Sequence, residues 1–455
     1  MNIQALIFFL VYLVLSASLY AQKQTTINPS VYNSARFIHD WNAKITDIIM
    51  EDGFSPAVIS KHYAYANIAA YTAAQPGFAS IYRPLTGQLN EFTNPPTPDM
   101  SLIYDWRLCA ISAYNSIAKK VLYRSKYADS MYEAQIETIE DEYDDIEDGD
   151  EIIQRSIAHG EKVGKYVITW FKNDGHTKNQ GRPRYTFPKG KGNWMPTPPE
   201  FADPLDPWFK TMRPLVIDSA AQFKPLPPIS YDETPNSPFY DQAMQIYIAS
   251  KNLTLDQKEI AAFWDCNPIK AWHQGHFVFN TRQISPGGHW LGLTKVGCDK
   301  VNATMMESLE AYTLVGISLF DAFISCWHEK YSSHSIRPVT FINKLIDSTW
   351  EPYLQTPPFP EHTSGHSTIS AASAEILTRL FGEFSFADST EVRFGLPIRN
   401  FQHYHAAALE ASVSRLYGGI HFRRACDEGN RIGKQIGGYV WEKLNLRKPR
   451  EDNKE

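Results

Sequence analysis

The chain has 455 residues, enough for one large core or two medium ones, and an aromatic content of 13%, which excludes disorder over most of its length. Its formal net charge of −6 gives no long-range attraction for nucleic acid or anionic lipid, so neither is expected as a partner. Five widely spaced cysteines (Cys109, Cys266, Cys298, Cys326 and Cys426) form no CxxC pair, which removes the signature of a zinc site or a dithiol redox motif.

Residues 1–21 carry no charge, and an apolar run from Ala5 to Leu13 leads to Ser16-Ala17-Ser18 and then Leu19-Tyr20-Ala21-Gln22. The pattern predicts a secretory signal peptide cleaved after Ala21 and an exported protein, periplasmic or secreted, with no membrane contact after cleavage. A membrane anchor is the alternative, because the run is close to the lower limit for spanning. An export route permits a disulfide, but an odd number of cysteines leaves at least one thiol unpaired in a monomer, the oligomeric state expected here. Cys326, in an apolar helical stretch, is expected to be a small core residue.

Residues 22–180 read as an N-terminal helical half. Ser55-Pro56 predicts an N-cap followed by proline at the first helical position, opening a helix to about Ala74. Leu108, Ile111, Tyr114, Ala118 and Leu122 share one helical stripe. Glu140 to Glu151 is nearly all acidic but fails the calcium-loop pattern, and is read as a solvated loop or helix start. Residues 181–240 are dense in proline, as in Pro225-Leu226-Pro227-Pro228, and predict an irregular connector plastered onto the helices by Phe201, Trp208, Phe209 and Phe223. Residues 241–455 read as a second helical half, with Leu309, Tyr312, Leu319, Phe323 and Cys326 on one stripe of a long helix. No set of alternating strands is evident, so the expected architecture is all-α, built of packed helical bundles.

The most informative stretch runs from Lys330 to His421. Lys330 ends the long helix, and Pro338 forces Arg337 out of the α region. Ser364-Gly365-His366 precedes a predicted helix that Thr363 or Ser364 caps, leaving free N–H groups facing an anion. Arg415 and His421 are six apart, about 120° around a continuous helix, and Gly418-Gly419 can break that helix so that both face one point. Three cations, a hydroxyl and two imidazoles converging in this way fit a multiply charged oxyanion. Two imidazoles at one oxyanion suggest one ligand or nucleophile and one proton-transfer group.

The order Lys-x6-Arg-Pro, Ser-Gly-His, Ser-Arg-x5-His resembles the signature shared by the vanadium-dependent haloperoxidases and the type 2 phosphatidic acid phosphatases. Phe263-Trp264-Asp265, Pro286-Gly287-Gly288-His289-Trp290 and Cys326-Trp327-His328-Glu329-Lys330 extend the resemblance to bacterial haloperoxidases, in particular flavobacterial iodoperoxidases, over nearly the whole mature chain. The resemblance implies one vanadate per chain, with Lys330, Arg337, Ser364, Gly365 and Arg415 binding its oxygens and His421 bonding the metal. It makes His366 the acid–base histidine, hydrogen peroxide and a halide the substrates, and phosphate a competing oxyanion. An acid phosphatase working through a phosphohistidine at His421 is the alternative activity.

Asp265 would orient Arg415, or serve only as a turn residue. Ala425 replaces the Asp that many phosphatases place four residues after the last histidine, so a backbone carbonyl is expected to orient His421. His328 is expected to tune peroxide or to sit on the pocket wall beside Trp327. Phe359, five residues before Ser364, forms a hydrophobic wall that excludes water. Iodide, the least hydrated and most easily oxidised halide, demands least from such a site.

Overall fold

A computed structural model describes residues 27–268, 270–274 and 276–449; the expected signal peptide lies outside the described residues. In chain order the helices are α1 (Arg36–Asp52), α2 (Pro56–Ala74), α3 (Trp106–Val121), α4 (Lys126–Glu140), α5 (Gly149–Phe171), α6 (His176–Gln180) and α7 (Pro238–Lys251). They continue with α8 (Leu255–Phe263), α9 (Pro286–Val301), α10 (Met305–Ser333), α11 (Pro338–Leu345), α12 (Gly365–Phe381), α13 (Tyr404–Tyr417) and α14 (Arg423–Lys443). The architecture is all-α, as the periodicity predicts. Two short antiparallel hairpins that the sequence did not reveal add little: β1 (Lys270–Gln274) pairs with β2 (Phe277–Thr281), and β3 (Phe386–Asp388) with β4 (Arg399–Phe401).

Local chemistry explains the helix starts. Ser55, Ser237 and Ser285 each stand before a proline and accept a hydrogen bond from the backbone N–H three residues on. Thr254 and Thr304 form capping boxes with Gln257 and Glu307. The acidic run is partly solvated, but Tyr143 and Ile146 within it turn inward ahead of α5.

Helices α2, α3 and α5 pack on one another in the first half, and α12, α13 and α14 in the second. Helix α10 lies between them and packs against both α2 and α12. Its 29 residues are long and apolar enough to cross a membrane, yet its apolar window is wholly buried inside the fold, so it is a core helix here. All five expected stripe residues of α10 are buried.

Small residues set how closely the site-bearing helices approach. On α14, Gly433 and Gly437 lie against α12, where an added Cβ would come within 2.1 Å of the Thr368 carbonyl oxygen and 2.5 Å of that of Ala372. No side chain fits there without moving α12, whose first turn carries the Ser-Gly-His motif.

The proline-rich connector does lie on the helices. The buried Asp321 carboxylate of α10 accepts from the N–H groups of Leu215, Val216 and Ile217 at 2.7, 2.8 and 3.0 Å. The Leu205 carbonyl accepts from the Tyr331 hydroxyl at 2.6 Å. Of the four aromatics expected to anchor it, Phe209 is buried and Phe201 exposed, and hydrogen bonds to α10 hold the segment as well as rings do. All five cysteines are buried free thiols.

Candidate active site

Each motif lands at a chain feature that aims it inward. Lys330 lies in the last turn of α10, whose chain then turns left-handed at His334 (φ 50°). Arg337 is extended (φ −81°, ψ 152°), as the following proline requires, and stands directly before α11. Ser364 caps α12, accepting from the Ser367 N–H at 3.3 Å and the Ser367 hydroxyl at 2.8 Å, which leaves its own proton to donate. Helix α13 ends at Gly418, Gly419 takes φ +74°, and His421 follows just before α14. Two helix N-termini therefore flank the two histidines.

These turns bring His366, His421, Arg415, Gly365 and Asp265 to the wall of one cavity of about 340 Å³. Trp327 and Phe359 complete its inner end, and prolines from the connector and from 357–358 form much of the rest. Lys330, Arg337 and Ser364 lie fully buried immediately behind this wall. The Lys330 ammonium donates to the Pro360 and Glu361 carbonyls at 2.9 and 3.1 Å. Arg337 donates from Nε to the Phe359 carbonyl at 2.8 Å and from Nη1 to the Ile420 carbonyl at 2.8 Å. The Phe359 ring lies under both cations, 4.9 Å from Lys330 Nζ and 5.0 Å from the Arg337 guanidinium carbon.

Burial without full compensation dominates the electrostatics. Desolvation pushes the Lys330 ammonium down to about 7 and the Arg337 guanidinium down to about 10. It also lowers Arg415 and, with Arg337, Lys330 and Arg415 adding to it, holds the His421 imidazole well below its ordinary value. Burial and the charge of Arg415 do the same to His366. Both rings are therefore neutral at pH 7, each with one unprotonated nitrogen able to accept a proton or bond a metal. Two buried atoms, Arg337 Nη2 and His366 Nε2, have no hydrogen-bond partner among the described residues. A Cβ added at Gly365 would meet only the Trp327 ring, at 3.7 Å. An unpaired guanidinium donor, desolvated cations and a backbone bare on the cavity side fit a tetrahedral or trigonal oxyanion such as vanadate or phosphate.

His421 is oriented by a carboxylate, and the expected backbone carbonyl is not its partner. Its Nδ1 donates to Glu361 Oε1 at 2.9 Å, and the same oxygen accepts from the Phe422 N–H at 2.9 Å. That bond places the ring proton on Nδ1 and leaves Nε2 unprotonated toward the cage, where it accepts from Arg337 Nη1 at 3.2 Å. Sequence reasoning looked for the partner just after His421, on the same helix. Glu361 comes from the other side of the site, and its only sequence signal is an acid three residues before Ser364. Burial raises the Glu361 carboxyl to about 7 and Arg337 opposes the rise.

Asp265 is placed as a turn residue beside Arg415. Its N–H closes the turn after α8 on the Ala262 carbonyl at 3.2 Å, and its buried carboxylate is the principal charge supporting Arg415. The direct partner of Arg415 Nη2, however, is the Trp264 carbonyl. His328 is not on the cavity wall: it is half-exposed, and burial together with the charges of Lys210 and Lys224 lowers its pKa. On α10 it is two residues from Lys330 and is turned to the outer face.

Glu361 is the residue on which the tautomer depends. Glu361→Ala is expected to weaken orthovanadate binding ~10–100-fold, the usual effect of losing the group that orients a metal-binding histidine, while Glu361→Gln retains part of it. Isothermal titration measures both, and an unchanged affinity in Glu361→Ala would refute the assignment.

A helical chain with a buried cationic cage and two neutral histidines at one cavity belongs to the class of proteins whose site suits an oxyanion. Comparison with known proteins narrows the class. Residues 310–447 match the family described as VCPO second helical-bundle domain. The solved structure of a bacterial vanadium-dependent iodoperoxidase, described as the first of its kind, is 37% identical, with a TM-score of 0.86 over 94% of this chain and 100% of that one. A bacterial vanadium-dependent chloroperoxidase in its holo form has a TM-score of 0.62 at 16% identity, over 86% of this chain and 94% of that one, a likeness of fold. No curated protein matches at the sequence level. The chain belongs to the vanadium-dependent haloperoxidases, peroxidases of the oxidoreductase class.

Proposed function

We propose that this protein binds one vanadate in the cavity and uses hydrogen peroxide to oxidise a halide, iodide first, to a hypohalous acid equivalent. The observation that carries the reading is the His421 Nε2 lone pair, fixed by Glu361 and set among three buried cations. His421 would bond the metal through Nε2, and Lys330, Arg337, Arg415, the Ser364 hydroxyl and the Gly365 N–H would hold the oxygens. Bound there, vanadate supplies a Lewis acid that activates peroxide without a change of oxidation state.

The chain's own residues do the rest. His366, neutral and with Nε2 free, takes a proton from hydrogen peroxide and keeps it on the cavity side. Phe359, Trp327 and the surrounding prolines give the cavity an apolar lining, which favours the halide that gives up its hydration most easily. That argument and the 37% identity to an iodoperoxidase support iodide. Phosphate fits the same cage and is expected to compete.

The test is to assay purified protein, with and without orthovanadate, for triiodide formation and for hydrolysis of a chromogenic phosphate ester. Vanadate-dependent iodide oxidation, inhibited by phosphate, is the expected result; ester hydrolysis without halide oxidation overturns the reading. Export is part of the same proposal, carried by the uncharged apolar leader and its Ala21-Gln22 boundary. Intact-mass analysis of secreted or periplasmic protein is expected to place the N-terminus at Gln22. Retention of Met1 on a membrane-bound product contradicts it.

A further inference from the structure

A second group of ionisable side chains is completely buried beside the cage, and none of it belongs to the Lys-x6-Arg-Pro, Ser-Gly-His or Ser-Arg-x5-His motifs. His289, in the first turn of α9, has Nε2 2.7 Å from Asp388 Oδ2 and Nδ1 3.0 Å from Glu391 Oε1. A carboxylate at each nitrogen requires a proton on each, so the ring is an imidazolium clamped from both ends. Burial opposes that charge, and Asp388 and Cys266 overcome it, leaving the ring well above its ordinary pKa. Thr390 buttresses the clamp, donating from N and Oγ1 to Asp388 Oδ1 at 3.0 and 2.7 Å.

The cluster grips the chain at residues 263–266. The Trp264 indole stacks on the His289 ring, with centroids 4.3 Å apart and planes 20° from parallel. Phe263 meets the same ring edge-on at 5.4 Å. Cys266 Sγ is 3.6 Å from His289 Nδ1 and 3.7 Å from Glu391 Oε1. The segment held in this way touches the cage, because the Trp264 carbonyl accepts from Arg415 Nη2 and also acts on His366. Between the two contacts Asp265 shares the cavity wall with Arg415.

Cys266, His289 and Glu391 could also be read as three ligands of a transition metal. The 3.0 Å between His289 Nδ1 and Glu391 Oε1 is a hydrogen-bond length, short of the roughly 3.4 Å that tetrahedral Zn–N and Zn–O bonds would impose. A proton suffices to bridge them.

We infer that His289, clamped between Asp388 and Glu391, is a positioning residue for the oxyanion cage: it fixes Trp264, and the Trp264 carbonyl fixes the guanidinium of Arg415. Without the clamp the arginine keeps its charge but loses the anchor that selects one rotamer, and with it part of its pairing with an oxyanion. The inference rests on the cavity being an oxyanion site and not on the choice of halide.

The test titrates orthovanadate, and separately inorganic phosphate, into the full chain as wild type, His289→Gln, Arg415→Ala and the double variant, with a thermal denaturation curve for each. His289→Gln is expected to weaken both anions ~10–100-fold. In the Arg415→Ala background the same change is expected to add no more than about twofold, the scatter of additive pairs. A purely structural role lowers the melting temperature while leaving anion affinity unchanged, or adds its full effect in the double variant; either result overturns the inference. So does stoichiometric zinc in the purified protein. Asp388→Asn and Glu391→Gln each leave one side of the clamp and carry the same comparison if His289→Gln does not fold. Wild type that binds phosphate but not vanadate overturns the vanadate reading alone, and the variants are then compared with phosphate.

Discussion

His421→Ala is expected to lose vanadate on dialysis and to show no halide oxidation above background. The expectation follows from what remains once the ring is gone. Lys330, Arg337 and Arg415 still supply charge and donors, so a tetrahedral anion such as phosphate is still attracted, but weakly, and no protein atom is left to bond a metal. Glu361 also loses its main partner: its Oε1 keeps only the Phe422 N–H, leaving a buried carboxyl beside Arg337. The loss is therefore larger than that of one coordinate bond. Vanadium content by elemental analysis after dialysis, and triiodide absorbance with peroxide and iodide, are the measurements. Stoichiometric vanadium in the dialysed variant would falsify the assignment of His421 as the metal-bonding residue. Phosphate titration of the same sample checks that the cage has folded, since weak binding is expected there and none in an unfolded chain.

The sequence is most readable where the chemistry is local. Ser55-Pro56, Ser364 before α12 and Gly418-Gly419 after Arg415 all behave as capping and helix-breaking rules require, because each effect is decided within four residues. The all-α architecture follows from periodicity in the same way, and the β3–β4 hairpin escaped because its strands have three residues each, too few to show a period. What the sequence hides is any partnership formed across the fold. Glu361 reaches His421 over 60 positions, and Glu391 reaches His289 over 102; neither pair has a spacing that a helix or strand imposes. His328 failed for the opposite reason. It is two residues from Lys330, but on a helix two residues apart point to different faces, so a neighbour of a site residue was turned away from the site.

His366→Ala is expected to separate binding from turnover: it keeps most of the vanadate affinity and slows iodide oxidation by ~10²–10⁴-fold, the usual worth of a positioned acid–base group. Binding survives because Lys330, Arg337, Arg415 and His421 are held by partners other than His366, among them the Pro360, Ile420 and Trp264 carbonyls and the Glu361 carboxylate. Turnover suffers because His366 Nε2 is an unpaired buried acceptor on the cavity wall, and burial together with Arg415 keeps it neutral at pH 7 and able to take a proton from peroxide. Depressing that basicity has a cost, since an imidazole held too far below neutrality accepts a proton poorly. An oxyanion beside Arg415 offsets the positive field that depresses it, so the ring's proton affinity is expected to rise when vanadate binds. In the variant an alanine leaves peroxide to lose its proton to water, a far weaker base than imidazole. Rate and vanadium content are measured on the same preparations. The division of roles is lost if His366→Ala releases vanadate as completely as His421→Ala, or if its rate stays within about threefold of wild type, far inside the range expected for removing a general base.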